Sequence, residues 1–296
     1  MPEVHENEAL EACSTGNLST LKGLLLSDGT FPRDSASTKL DTHCHTSRTD
    51  DQFHPNPLLI SQMLERAAQN SHTNIVQFIL DEYPKTELYE SSVRRAAQSG
   101  SIELYKVLLS HDPTVIDMDF YDGREFPITV ALNIDTSPEF IGFLLSAGAD
   151  PNVGAFGVDC LALATRSRVN SLGLCAMLIE SGADVKKSCA LSVAARQGRL
   201  DVVRYLLQQG AEVNNLSNGR ARDVLDLSHN WPPLHTAIEE GYLNVCVLLL
   251  DHGADPYTLD KHGRTALQVA RASEIQEIAR MLQARGIVEH REGEPA

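Results

Sequence analysis

Between Trp231 and Pro256 the order of apolar and polar positions, WPPLHTAIEEGYLNVCVLLLDHGADP, predicts two short helices on either side of Gly241. The first spans roughly Pro233 to Glu239, the second roughly Asn244 to Asp251. Pro233 suits a first helical position, where a missing N–H costs least. Val245, Leu248 and Leu249 fall on one face at helical spacing. Gly253 follows and can take the left-handed geometry that ends a helix. Two helices this short cannot bury a core alone, so the pattern requires neighbours of the same kind.

Such neighbours recur along the chain. Ala9–Gly29 keeps the helix–turn–helix spacing through Ala12, Gly16, Leu18, Leu21, Leu24 and Leu25. Leu58–Pro84 repeats it with Ser71 where the glycine belongs, and Ser91–Pro113 repeats it with Ala96, Ala97, Gly100, Leu104 and Leu108. Arg94 and Arg95 are unusual charges for a first helix and predict contact with solvent or a partner. Further units begin at Asp119, Phe156 and Ser188 and, beyond Trp231–Pro256, at Thr258. The first unit carries Glu3, Glu6, Glu8 and Glu11, and the second helix of the last carries Gln276, Glu277 and Arg280. Both read as polar caps of a repeat array. The inner units recur about every 30 residues, a solenoid period. Thr30–Pro57 and Asn215–Asn230 break that period.

PPLHTAIEEGYLNVCVLLLDHGADP resembles the ankyrin repeat, whose pattern runs TPLHxAAxxGHLEVVxxLLxxGADxN. The resemblance implies an all-α ankyrin-repeat solenoid of about eight helix pairs with polar terminal caps. The expected division is an N-terminal capping repeat over 1–29 and an irregular insertion over 30–57. Central repeats over 58–257 follow, with an insertion at 215–230, then a C-terminal capping repeat and tail over 258–296. In the family the histidine of TPLH braces a repeat through local hydrogen bonds, which gives His235 a structural role. Thr129, Ala162 and Ser192 stand at that position in other units. The family is mostly a binding scaffold. The resemblance therefore implies protein–protein interaction through the concave face and the hairpin tips, but fold alone does not name a partner.

Candidate contacts follow from residue type. Phe120, Tyr121, Phe156, Trp231 and Tyr257 are aromatic groups at or beside hairpins, suited to anchoring a partner. Asp119, Asp122, Arg124 and Asp260 would orient it. The competing reading for each aromatic is local packing of an irregular hairpin. Chemistry is densest in the first insertion, where Asp41, His43, Cys44 and His45 stand close together. Imidazoles beside a thiol suit acid–base or nucleophilic work, so an unusual enzyme enclosing a small molecule is the second reading. Their spacing matches no strong zinc motif. No phosphate loop, paired-cysteine motif or HExxH is present, so no cofactor or metal is assigned.

Charge narrows the partners. With 40 acidic against 25 basic residues the net charge is −15, which argues against general nucleic-acid binding. The six cysteines are scattered, as expected of reduced, buried side chains. The acidic start lacks an apolar signal segment, and no uncharged run reaches membrane-spanning length. These features predict a cytoplasmic protein, with the nucleus as a further compartment.

Overall fold

The computed structural model describes residues 2–26, 57–215, 232–273 and 275–288. Asp41, His43, Cys44 and His45 lie outside the described residues, as do residues 216–231, with Trp231, and the tail from 289. The chain divides into two compact units, Met1–Ala149 and Asp150–Ala296.

The first unit contains α1 (Pro2–Thr15), α2 (Leu18–Leu26), α3 (Pro57–Gln69), α4 (Thr73–Glu82), α5 (Glu90–Ser99), α6 (Ile102–His111), α7 (Pro127–Asn133) and α8 (Pro138–Ser146). Consecutive helices pair, and the first helices of the pairs pack in order, α1 on α3, α3 on α5 and α5 on α7. Small residues make this close approach possible: Ala67, Ala68, Ala96 and Ala97 are all buried at the contact layer. The second helices supply bulk, with Ile75, Ile79, Leu104 and Leu108 buried behind them. Each such side chain contributes about 1.5–3 kcal/mol by leaving water. α1 packs directly on α3 although residues 27–56 separate their pairs in sequence, so the packing order ignores the interruption.

The second unit contains β1 (Gly154–Ala155), β2 (Val158–Asp159), α9 (Cys160–Thr165), α10 (Ser171–Glu180), α11 (Ala190–Arg196), α12 (Leu200–Gln208), α13 (Pro233–Glu239), α14 (Leu243–Asp251), α15 (Ala266–Ala272) and α16 (Gln276–Ala284). Here α9, α11, α13 and α15 pack in order, with α10, α12, α14 and α16 as a second layer. α11 meets α13 directly despite residues 216–231. The strands form one antiparallel hairpin pairing Gly154 with Asp159 and Ala155 with Val158, a small addition to a mostly helical fold.

The turn inside each pair sets the register between neighbours. Gly198 has φ +68, and a Cβ there would stand 2.5 Å from the Tyr242 ring of the next pair. Gly16, with φ +76, meets the His72 ring in the same way. Glycine is therefore required at Gly198 twice, for its backbone sign and for the close approach. Ser71 and Asp135 hold this turn at φ 57 and φ 60 without being glycine. They keep its backbone bonds, from His72 N–H to the Ala67 carbonyl and from Thr136 N–H to the Ala131 carbonyl.

Candidate interaction surface

In the first unit Phe120 and Glu125 pair across a tight hairpin. Tyr121, Asp122 and Gly123 have φ of 55, 57 and 75, three consecutive left-handed residues. For a bulky tyrosine that conformation is strained. Phe120 is fully buried and belongs to the core, which corrects the expectation of a surface anchor. The alternation of a hairpin explains it: one aromatic faces in, the next faces out. Tyr121 is 52% exposed. Asp119, Asp122 and Arg124 are exposed beside it.

Arg94 of α5 fastens this hairpin to the preceding pair. Its Nε donates to Glu125 Oε2 at 2.9 Å, and its guanidinium lies 5.4 Å from the Tyr121 ring centroid. Glu125 is buried, so the arginine supplies the charge partner that a desolvated carboxylate needs. The sequence expectation sent Arg94 to solvent or a partner; its charge is instead engaged inside the unit. Arg95 likewise reaches Glu65, at 3.4 Å.

The first hairpin of the second unit is fastened differently. Phe156, with φ 50, and Gly157, with φ 85, turn β1 into β2, and Phe156 is half-buried. Asp159 then accepts four donors: Ala162 N–H at 2.9 Å, Ser188 Oγ at 2.7 Å, Cys189 N–H at 3.1 Å and Cys189 Sγ at 3.3 Å. One carboxylate thus caps α9 and ties in the following pair. Asn152 donates to the Gly182 carbonyl and accepts from Asp184 N–H, and Asn214 does the same with Gly253 and Asp255.

Asn152, Asp159, Asp184 and Ser188 line a cleft of about 450 Å³, with Pro151 and Leu161 beside them. Its carboxylates, amide and hydroxyl already bond one another or the backbone, and Asp184 is paired with Lys187 at 3.1 Å. Burial pushes the Cys175 and Cys246 thiols up to about 12, and burial with the Asp159 carboxylate raises Cys189. Thiols held protonated are poor nucleophiles. Among the described residues no group of three His, Cys, Asp or Glu could hold a metal ion.

At the last hairpin Asp260 is buried, the second correction to the expected surface set. Its Oδ1 accepts from His262 N–H and Arg264 N–H, each at 2.8 Å, and its Oδ2 faces Arg264 Nε at 2.8 Å. Burial alone would raise its pKa; the Arg264 backbone and guanidinium and the His262 N–H outweigh it, and the carboxyl titrates below its ordinary range. Tyr257 remains 38% exposed, and Leu259, absent from the expected set, is 55% exposed. His235 is fully buried and its Nε2 donates to the Arg264 carbonyl at 3.2 Å, one pair further on. Burial lowers its pKa and keeps the ring neutral. It acts as a brace between pairs.

Helix pairs stacked through small residues, with hairpins tied pair to pair, define a repeat protein of the helix–turn–helix class. The family model described as "Ankyrin repeats (3 copies)" matches residues 128–217 and 213–291, more than half of the chain. The chain belongs to the ankyrin repeat family. It is 38% identical over 101 residues to palmitoyltransferase ZDHHC13 of Homo sapiens, covering 32% of this chain and 15% of that protein. It is 28% identical over 208 residues to YahD of Escherichia coli, named as an ankyrin repeat protein, covering 64% of this chain and 94% of that one. A glycerophosphocholine phosphodiesterase, GDE1 of Eremothecium gossypii, is 27% identical over 224 residues, covering 70% of this chain and 16% of that protein. The chain therefore spans about 15% of the length of the palmitoyltransferases it matches. Among the described residues no helix is long and apolar enough to cross a membrane.

Proposed function

We infer that this protein is a protein-binding scaffold that presents hairpin tips to a partner. The observation that carries this reading is Tyr121: a half-exposed aromatic kept in a strained left-handed turn, with its hairpin clamped from behind by Arg94. An aromatic on a rigid support is the kind of group that anchors an interface at low entropic cost. Asp119, Asp122 and Arg124 add orienting charges around it. In the second unit Phe156 and Tyr257 offer separate contacts, and Trp231 belongs to the same proposal. Each of the eight helix pairs is read as one ankyrin repeat, the first and last as polar caps. The proposed compartment is the cytoplasm, with the nucleus as a further one. From the transferase and phosphodiesterase relatives we carry over a repeat region and no catalytic activity. The small-molecule reading rests on Asp41, His43, Cys44 and His45, outside the described residues.

The test is capture of partners from a lysate on the full chain, beside a triple variant, Tyr121→Asn, Asp122→Asn and Arg124→Ala, which keeps residues that tolerate the left-handed turn. The variant is expected to melt as the parent does and to lose its specific partners. Undiminished capture by a folded triple variant would remove this hairpin from the interface.

A further inference from the structure

Nδ1 of His235 is buried and has no hydrogen-bond partner. The ring is fully buried, and its Nε2–H is committed to the Arg264 carbonyl at 3.2 Å. Nδ1 is therefore a bare acceptor in the neutral ring. The cause is the residue before the helix. His235 is the third residue of α13, a position whose side chain can reach back to the residue that precedes the helix. In α7 Thr129 Oγ1 accepts the Phe126 N–H at 2.8 Å, and in α15 Gln268 Oε1 accepts the Thr265 N–H at 2.9 Å. Before α13 stands Pro232, which has neither an N–H nor a side-chain donor. Its carbonyl already takes the His235 and Thr236 N–H groups, at 3.0 and 3.2 Å.

The charged groups around the ring do not fill this gap. From the last hairpin Asp255, Asp260 and Arg264 act on it. Asp255 already takes the Tyr257 N–H and the Thr258 hydroxyl, and Asp260 is filled by His262 and Arg264. α11, α14 and α15 also pack on α13. Their charged groups stand toward their C-terminal ends: Arg196 paired with Glu240, Asp251 paired with Arg285, and Arg271. α14 adds the buried Cys246 thiol, and α13 itself ends on Glu239.

We propose that His235 is a proton-operated latch between α13 and the last helix pair. A proton on Nδ1 makes a buried, charged N–H with no acceptor, so the ionised ring is accommodated only where the contact opens. The last pair is the part that opens. α15 packs on α13 and α16 on α14, and no further pair follows among the described residues. A terminal unit of a stacked array opens at the least cost. Burial holds the ring's pKa below 6.5, so the latch is closed above that value and weakens as pH falls below it. The hairpin that carries Arg264 also carries Tyr257 and Leu259, so the proton sets how firmly those exposed side chains are held. The latch does not depend on the binding reading above.

The test is amide hydrogen exchange of the full chain between roughly pH 7.5 and 5.5, with each rate divided by its intrinsic value. The Ala266 and Val269 amides, bonded to the Pro256 and Thr265 carbonyls, report on the last pair. Their opening is expected to rise by up to about tenfold per pH unit below the histidine range, the limit for one proton. The Val193 amide of α11, bonded to the Cys189 carbonyl, is expected to keep its protection. His235→Gln leaves His252 and His262 in place and is expected to abolish the rise at Ala266 and Val269. Pro232→Ser supplies a hydroxyl that can donate to the bare nitrogen or accept from the ionised ring, and is expected to flatten it. Opening that ignores pH in the parent overturns the proposal. So does an equal rise in His235→Gln, a full rise in Pro232→Ser, or a loss of protection that includes α11, which would make the transition one of the whole unit.

Discussion

The hairpin at Phe120–Glu125 and the hairpin at Gly154–Asp159 face one task, tying one helix pair to another, and use opposite chemistry. The first relies on one ion pair, a buried Glu125 carboxylate met by a partly exposed Arg94 at 2.9 Å. The second relies on one carboxylate, Asp159, shared among uncharged donors of α9 and of the following pair. In the first, the clamp sits behind the turn and the tip is left outside, with Tyr121 exposed. In the second, the bonds converge on Asp159 at the end of the hairpin, and Phe156 at the tip is half-buried. The first hairpin shows its tip ring to solvent; the second keeps part of its tip ring against its own fold.

That contrast is most easily broken at Asp159. Asp159→Ala removes a helix cap and leaves Ser188 and Cys189 without their acceptor. Losing the cap costs about 1 kcal/mol and the orphaned buried donors about 2 more. Denaturant unfolding should show a loss of about 3 kcal/mol, and a loss below about 1 kcal/mol would mean that other groups hold the hairpin. Arg94→Ala comes next, at about 2 kcal/mol, because Glu125 stays buried and the partly exposed arginine limits the effect. Here the decisive measurement is a double-mutant cycle with Glu125→Gln. Independent effects of the two substitutions would show that the ion pair is not the clamp.

Much of this bracing was legible as spacing. Arg94 and Glu125 are 31 residues apart, Arg95 and Glu65 30, Asn152 and Asp184 32, and His235 and Arg264 29. Each interval is one repeat, so a polar residue and its partner one period away could have been paired from the sequence. Where residues 216–231 intervene the interval lengthens to 41 for Asn214 and Asp255, and where 27–56 intervene it reaches 58 for His72 and Ser14. The helix pairs were legible because Ala67, Ala96 and Ala194 recur with apolar stripes behind them. Burial of Phe120 and Asp260 was not. Whether a hairpin residue points in or out depends on its register, and a shift of one residue reverses it. Aromatic type alone cannot supply that sign.

pH separates the units further. His235 titrates below its ordinary value near 6.5 because burial disfavours its cation. The unfolded chain therefore takes up this proton first, and the native state is disfavoured as pH falls below about 6.5. Above that value the histidine contributes no slope. Asp260 is also depressed, so its contribution is present above its ordinary value near 3.8 and is lost as pH falls through the lower native value. Both groups belong to the second unit. One proton limits the slope to about 1.4 kcal/mol per pH unit. Unfolding of the parent and of His235→Gln between roughly pH 7.5 and 5 tests this. If the glutamine variant keeps the same slope, His235 is not its source.

The smallest stability effect is expected where the binding effect is largest. Tyr121→Asn keeps a residue that tolerates the left-handed turn and relieves strain of about 1 kcal/mol. It also loses the contact between the ring and Arg94, worth about 0.5–1 kcal/mol at an exposed site. The two nearly cancel, so the melting temperature should stay within about 2 °C of the parent. Loss of a central aromatic anchor should still weaken a captured partner at least about tenfold, or 1.4 kcal/mol. Measuring both on one variant decides what Tyr121 does. A tyrosine that lowers stability by more than about 1 kcal/mol when removed, and leaves binding untouched, is part of the clamp. The first hairpin would then resemble the second, with its exposed ring serving the fold and not a partner.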